Sequence, residues 1–79
     1  MIMATEEATE LDLQALRRAA VLTQGELAEQ IGVGPRIITK WENGEATPRP
    51  ANIRKLAVAL GVSPRAIVAA LQRSGKRDA

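Results

Sequence analysis

The chain has 79 residues, enough for one domain and too few for two. It contains no cysteine and no histidine, which excludes a disulfide framework and the usual zinc ligands, and no apolar run approaches the roughly 20 residues of a membrane span. The net charge is only +2, but residues 13–77 hold eleven basic and four acidic side chains behind an acidic start, which suits either a polyanionic partner or an ordinary solvated surface.

The first predicted helix follows an N-terminal arm. Residues 1–8 show no apolar period and are expected to form a flexible acidic arm, without the basic start and apolar stretch of a signal peptide. Thr9 is suited to cap the helix, with Asp12 as its capping-box partner three residues later. Leu13 and Leu16 then recur on one face of the predicted helix.

Two capped helices with a very short link come next. Thr23 and Glu26 form a second capping box, so a helix begins there, and Gly32 ends it. A Gly–Pro pair at residues 34–35 opens the third helix, which runs to about Asn43. A link this short forces a sharp crossing angle, as in a helix-turn-helix.

Two further helices complete the predicted domain. The fourth begins at Pro50 and ends at Gly61, and the fifth is capped by Ser63 and precedes a flexible polar tail at residues 74–79. No segment alternates as a strand would. The sequence therefore predicts an all-α domain of five helices over residues 9–73.

The third helix has two different faces on a helical wheel. Ile38 and Trp41 lie on one side, which we expect to be buried. The opposite sector holds two cations, two hydrogen-bonding side chains and no acid. An α-helix fits the DNA major groove, where such side chains contact base edges or phosphates, although the pattern also fits an ordinary solvated face. The members of this sector are Arg36, Thr39, Lys40 and Asn43.

Several segments at fixed spacing resemble one family of regulators. Residues 23–33 read TQGELAEQIGV, residues 38–44 read ITKWENG, and residues 56–63 read LAVALGVS, with Pro48 in the intervening loop. This pattern is similar to the Xre/Cro family of phage and bacterial regulators, over about residues 13–71. The resemblance implies a lambda repressor-like domain that binds operators, usually as a symmetric dimer, with its third helix in the major groove.

The resemblance also implies roles for individual residues. Gln24 would contact a phosphate and support the start of the third helix. Arg36 and Lys40 match positions that read bases, and arginine suits guanine through O6 and N7. Thr39 would contact a phosphate or a methyl group, and Asn43 a phosphate.

The start of the third helix departs from the family pattern. Gly34 and Pro35 replace polar residues, and Ile37 occupies a position where small or polar residues are usual. Pro35 and Ile37 could contact a thymine methyl, or Ile37 could pack against a partner.

Arg49, in the loop between the third and fourth predicted helices, is a further candidate for a phosphate contact. The complete predicted DNA-contact set is Arg17, Thr23, Gln24, Gly34, Pro35, Arg36, Ile37, Thr39, Lys40, Asn43 and Arg49.

Glu42 needs a separate interpretation, because a carboxylate beside DNA is repelled unless it is neutralised. In the family this position often pairs with a basic residue of the first helix, and Arg17 matches it here. We therefore expect a structural ion pair between Arg17 and Glu42 that also directs Arg17 toward a phosphate.

Four apolar side chains are candidates for a homodimer contact or are simply scattered surface residues. They are Val58, Ile67, Val68 and Leu71.

The sequence has no histidine or cysteine for catalysis and no glycine-rich loop that could bind a phosphate. We therefore expect that the protein is not an enzyme and binds no cofactor or metal. The sequence predicts a cytoplasmic, sequence-specific DNA-binding repressor without a membrane partner. One alternative is an antitoxin that represses its own operon and binds a toxin through Ile37, Val58 and the acidic arm. Another is a restriction–modification controller. A toxin or a polymerase is the candidate protein partner.

Overall fold

The computed structural model describes residues 11–75, in which all regular structure is helical, as the sequence predicts. No single helix in this range is long and apolar enough to cross a membrane; the fourth and fifth meet that requirement only together, as a pair bent by 102°. The elements are α1 (Leu13–Ala19), α2 (Gln24–Ile31), α3 (Pro35–Asn43), α4 (Pro50–Leu60) and α5 (Pro64–Arg73).

Local side-chain hydrogen bonds cap the first turns of α2 and α5, as the sequence predicts. At α2 the Thr23 hydroxyl accepts the Glu26 N–H at 3.0 Å, and the Glu26 carboxylate accepts the Thr23 N–H at 2.9 Å. At α5 the Ser63 hydroxyl accepts the Ala66 N–H at 3.1 Å. Prolines open α3, α4 and α5, where their missing N–H costs no helical hydrogen bond. The predicted capping box and the predicted starts of these helices are confirmed.

The start of α1 differs from the prediction. Asp12 is itself the N-cap, with extended backbone, and its carboxylate accepts the Ala15 N–H at 2.9 Å. The prediction that Asp12 is the third residue of a helix capped by Thr9 was therefore wrong, and Thr9 lies outside the described residues. The physical reason is that Asp12, directly before Leu13, can itself satisfy an unpaired N–H of the first turn.

Each helix contributes one large, fully buried side chain to a shared core. These are Leu13, Leu27, Ile38, Leu56 and Ile67, each 0% exposed. Burial of such a side chain contributes about 1.5–3 kcal/mol. Ile67 was predicted as a dimer contact, and that prediction was wrong, because it lies on the inner face of α5 and presents no surface to a second chain.

The end of α5 is tied to both α1 and α3. The Ser74 hydroxyl accepts the Leu13 N–H at 3.2 Å and donates to the Ala70 carbonyl at 3.0 Å. Gly75 adopts a φ of +83°, and a β-carbon there would lie 2.5 Å from the Asn43 carbonyl oxygen. The sequence placed Ser74 in a polar tail, whereas the structure buries it within the domain.

Candidate nucleic-acid interface

A three-residue turn joins α2 to α3. Gly32 ends α2 with a φ of +88°, a conformation that side chains with a β-carbon rarely adopt. The N–H groups of Gly32 and Val33 both donate to the Ala28 carbonyl, at 2.8 and 3.0 Å. Gly34 then takes an extended conformation as the N-cap of α3. The chain therefore changes direction within three residues, and α3 packs against α2.

The outer face of α3 is cationic. Arg36, Lys40 and Asn43 are exposed and Thr39 is half-buried, on the helix face opposite the core. The single acid of α3, Glu42, is only 2% exposed. Among residues 11–75, no three acidic, histidine or cysteine side chains lie together in a way that could hold a metal ion. The arrangement thus presents positive charge and hydrogen-bonding groups without a competing surface carboxylate on the same helix.

Glu42 is the centre of a buried polar cluster that joins α1, α2 and α3. Arg17 Nε donates to Glu42 Oε2 at 2.6 Å, and Arg17 Nη2 donates to Glu42 Oε1 at 3.3 Å. Gln24 Nε2 donates to the same Oε1 at 3.0 Å. Arg17 Nη1 donates to the Leu22 carbonyl at 2.9 Å. The ion pair predicted between Arg17 and Glu42 is therefore present, and it neutralises the carboxylate of α3 internally.

Thr39 extends this cluster toward the outer face of α3. Its hydroxyl donates to Gln24 Oε1 at 3.1 Å, and the Pro35 carbonyl lies 3.4 Å away as a weaker acceptor. Both ends of the Gln24 amide are consequently occupied, one by Glu42 and the other by Thr39. The first residue of α2 thus connects the buried ion pair to the exposed side of α3.

The profile of the helix-turn-helix family matches residues 13–67, which include α2, the turn and α3. The chain belongs to this Xre/Cro-type, lambda repressor-like family. Over 59 residues it is 46% identical to the "Uncharacterized HTH-type transcriptional regulator RghRB" of Bacillus subtilis (strain 168), covering 73% of this chain and 42% of that protein. Over 53 residues it is 42% identical to the "Vegetative-specific protein H7" of Dictyostelium discoideum, covering 67% of this chain and 51% of that protein. The chain therefore spans about half of the length of these curated relatives, or less.

Membership of this family makes the chain a helix-turn-helix domain of the DNA-binding, transcription-regulator type. Arg36, Ile37 and Lys40 are exposed along α3, and Arg49 is exposed at the N-cap of α4. Thr23 uses its hydroxyl and its N–H in the capping box of α2. The roles of these residues as DNA contacts stay predictions.

Arg17 has a different environment from the one that a phosphate contact requires. It is 7% exposed, and its Nε, Nη1 and Nη2 atoms all donate to acceptors within the domain. The ion pair was expected to direct Arg17 outward, but in the structure it holds the guanidinium inside, between α1 and α3. The contribution of Arg17 to the helix-turn-helix is therefore to position α3.

Gly34 is a glycine that the fold does not require. Its φ of −76° is accessible to any residue, and a β-carbon built on it would meet nothing within 4 Å. As an N-cap without a side chain, it leaves the first N–H groups of α3 without a side-chain acceptor. This open space at the start of α3 is compatible with close approach of a DNA backbone.

Two features of the helix-turn-helix region had no signal in the sequence. The hydrogen bond from Gln24 to Glu42 joins residues 18 positions apart, so local periodicity could not indicate it. Val21, in the link between α1 and α2, has a φ of +59° and is 85% exposed. A β-branched residue in that conformation is unusual, and no glycine or asparagine marked the position.

The remaining dimer candidates lie on two different surfaces. Val58 of α4 is 84% exposed. Val68 of α5 is 41% exposed and, with the partly buried Leu71, lines a groove that also includes Ile53. The dimer itself stays a prediction, and only Val68 and Leu71 share one surface.

Proposed function

We propose that this helix-turn-helix protein is a sequence-specific transcriptional repressor that inserts α3 into the major groove of operator DNA. The observation that carries the proposal is the cationic outer face of the recognition helix. Its single carboxylate, Glu42, is buried against Arg17, so no acid of α3 opposes the approach of phosphates. The resemblance of the chain to a protein named as an HTH-type transcriptional regulator supports the same class of function.

In the proposed complex, exposed side chains near the start of α3 read the bases. Arg36 forms a bidentate hydrogen bond to guanine O6 and N7, and Lys40, one turn later on the same face, contacts a neighbouring base or phosphate. Ile37, which is 37% exposed, contacts a thymine methyl. Asn43 and Arg49 bind the DNA backbone and set the position of the helix in the groove.

The experiment is selection of preferred duplexes from a random pool, followed by affinity measurements on a selected and an unselected duplex. Arg36→Ala should cost about 1–3 kcal/mol on the selected duplex and little on the unselected one. The matched control is Arg65→Ala, which removes an exposed arginine from α5 and should leave this selectivity unchanged. Equal losses on both duplexes would assign Arg36 to phosphate.

Salt dependence tests DNA binding itself. Neutralisation of phosphates releases counterions, so affinity should fall steeply as salt concentration rises. A flat response would refute the proposal that α3 docks on DNA. Fusion of the selected site to a reporter promoter then separates repression from activation.

We propose further that two copies bind together through the Val68–Leu71 surface of α5. Dimerisation would place two recognition helices in successive major grooves, about one helical turn apart. Val68→Asp should lower the sedimentation coefficient of the complex with a selected palindromic duplex, whereas Val58→Asp serves as the control on the other surface. An unchanged coefficient would remove α5 from the interface.

A second candidate function, that of an antitoxin, is favoured by exposed Val58. Val58 lies in a shallow groove between α2 and α4 with Arg54, Lys55 and two alanines, which offers an apolar contact with a basic rim. Coexpression with the product of the adjacent reading frame tests this function. Val58→Asp should abolish co-elution while Arg36→Ala preserves it, and the absence of any co-elution would refute the antitoxin role.

A further inference from the structure

The buried cluster around Glu42 has a fixed hydrogen-bond direction that reaches the DNA-facing side of α3. A carboxylate can only accept hydrogen bonds, and the guanidinium of Arg17 can only donate. Glu42 therefore obliges Gln24 to turn its Nε2 toward it, at 3.0 Å. The opposite end of the same amide, Oε1, must then face Thr39 and can only accept.

Thr39 is the last member of this chain of hydrogen bonds. Its hydroxyl carries one proton, which is directed to Gln24 Oε1 at 3.1 Å, with the Pro35 carbonyl as the second acceptor at 3.4 Å. Phosphate oxygens and the O6 and N7 atoms of guanine are acceptors and would need that same proton. With the proton committed inside the protein, the group that Thr39 retains for such a site is its methyl.

We infer that Glu42 is a positioning residue for DNA recognition, which acts through Gln24 to make Thr39 a methyl contact rather than a hydrogen-bond donor. The inference rests on the proposed function of α3 as the recognition helix and names a determinant of its specificity. The chemical group recognised is the C5-methyl of thymine, which is the apolar feature of the major groove.

The direct test compares two substitutions of Thr39 that remove different groups. Thr39→Val keeps the shape and deletes the hydroxyl, and selectivity for the selected duplex should change by less than about twofold. Thr39→Ser keeps the hydroxyl and deletes the methyl, and selectivity should fall about fourfold, the equivalent of one lost methyl contact. A larger loss with Thr39→Val than with Thr39→Ser would overturn the inference. Gln24 is only half-buried, so water can replace the deleted hydroxyl without unfolding the domain.

Glu42→Gln tests the role of Glu42 itself, because it should reverse the direction of the hydrogen bonds. Arg17 still requires an acceptor, so the new amide turns its oxygen to Arg17 and its NH₂ to Gln24. Gln24 then presents Nε2 to Thr39, whose hydroxyl accepts that bond. Its proton is then directed to the weaker Pro35 acceptor at 3.4 Å, from which a phosphate or guanine acceptor on DNA can take it. In the Glu42→Gln chain, Thr39→Val should therefore alter the selectivity for the selected duplex about fivefold, the size expected for one hydrogen bond. In the wild-type chain the same substitution should have little effect.

Controls separate this coupling from loss of folding and from failure of the proposed function. Glu45→Gln makes the same chemical change on an exposed carboxylate and should show no coupling to Thr39. All affinities are compared at a temperature where circular dichroism shows each variant to be folded. If the wild-type chain selects no duplex, the proposed function fails. If it selects one but the effects of Glu42→Gln and Thr39→Val are independent, only the present inference fails.

Discussion

Removal of the Glu42 carboxylate should destabilise the whole domain. The side chains of Arg17 and Glu42 are 9% and 2% exposed, so solvent cannot take over the hydrogen bonds that Glu42 accepts. In Glu42→Ala the guanidinium stays buried with the Leu22 carbonyl as its remaining acceptor among those the structure shows. Loss of one partner from a buried pair costs about 3–5 kcal/mol, whereas an exposed pair contributes about 0–1 kcal/mol.

This loss is large for a domain of this size. Since 1 kcal/mol corresponds to about 4–8 °C in a domain of 60–100 residues, the melting temperature should fall by at least about 12 °C. Thermal and urea unfolding, followed by circular dichroism at 222 nm, measure the effect. Glu45→Ala, an exposed acid beyond the end of α3, is the matched control and should melt with the wild type.

A double variant identifies the physical cause. Arg17→Met combined with Glu42→Leu removes both charges, and replacing both members of a buried pair by apolar residues is often neutral or stabilising. The double variant should therefore recover most of the loss seen in Glu42→Ala. If Glu42→Ala alone melts within about 4 °C of the wild type, which corresponds to at most about 1 kcal/mol, the pair is energetically equivalent to a surface contact and the reasoning is refuted.

Three further substitutions test local backbone arguments, each by thermal unfolding. Gly34→Ser adds an N-cap oxygen to α3 in open space and should raise stability by roughly 0.3 kcal/mol, or about 1–2 °C in melting temperature; an unchanged melting temperature would show that the cap bond does not form. Val21→Gly relieves a β-branched residue at φ +59° and should stabilise the domain by about 1 kcal/mol, whereas Val58→Gly, in the last turn of α4, should destabilise it; equal signs would contradict this. Gly75→Ala should lower the free energy of unfolding more than Gly61→Ala, although both glycines have a positive φ. At Gly75 the new β-carbon would lie 2.5 Å from the Asn43 carbonyl oxygen, whereas at Gly61 it would meet nothing within 4 Å; equal losses of stability would contradict this packing argument.

Most of the fold was predictable because its determinants are local. Thr23 with Glu26, Ser63 and the prolines that open α3 to α5 act within one helical turn, so residue type and spacing predict where these helices begin. Asp12 shows the limit of this approach, since Thr9 and Asp12 are both suitable caps three residues apart, and the sequence pattern led us to choose Thr9, whereas Asp12 is the N-cap. The sequence predicted that the candidate site is a face of α3. It did not predict the hydrogen bonds that join Thr39 and Glu42 to Gln24.

Local features of the sequence account for five amphipathic helices, a three-residue turn between the second and third, and a cationic face on the third. These follow from periodicity and from the conformational preferences of glycine and proline, which operate between neighbours in the chain. The packing of the helices, in contrast, holds Arg17 inside and places Gln24 between Glu42 and Thr39. It also brings Ser74 to the Leu13 N–H and buries Ile67 in the core. Each of these depends on which distant groups a buried polar or apolar side chain meets, and that is set by the packing of all five helices together.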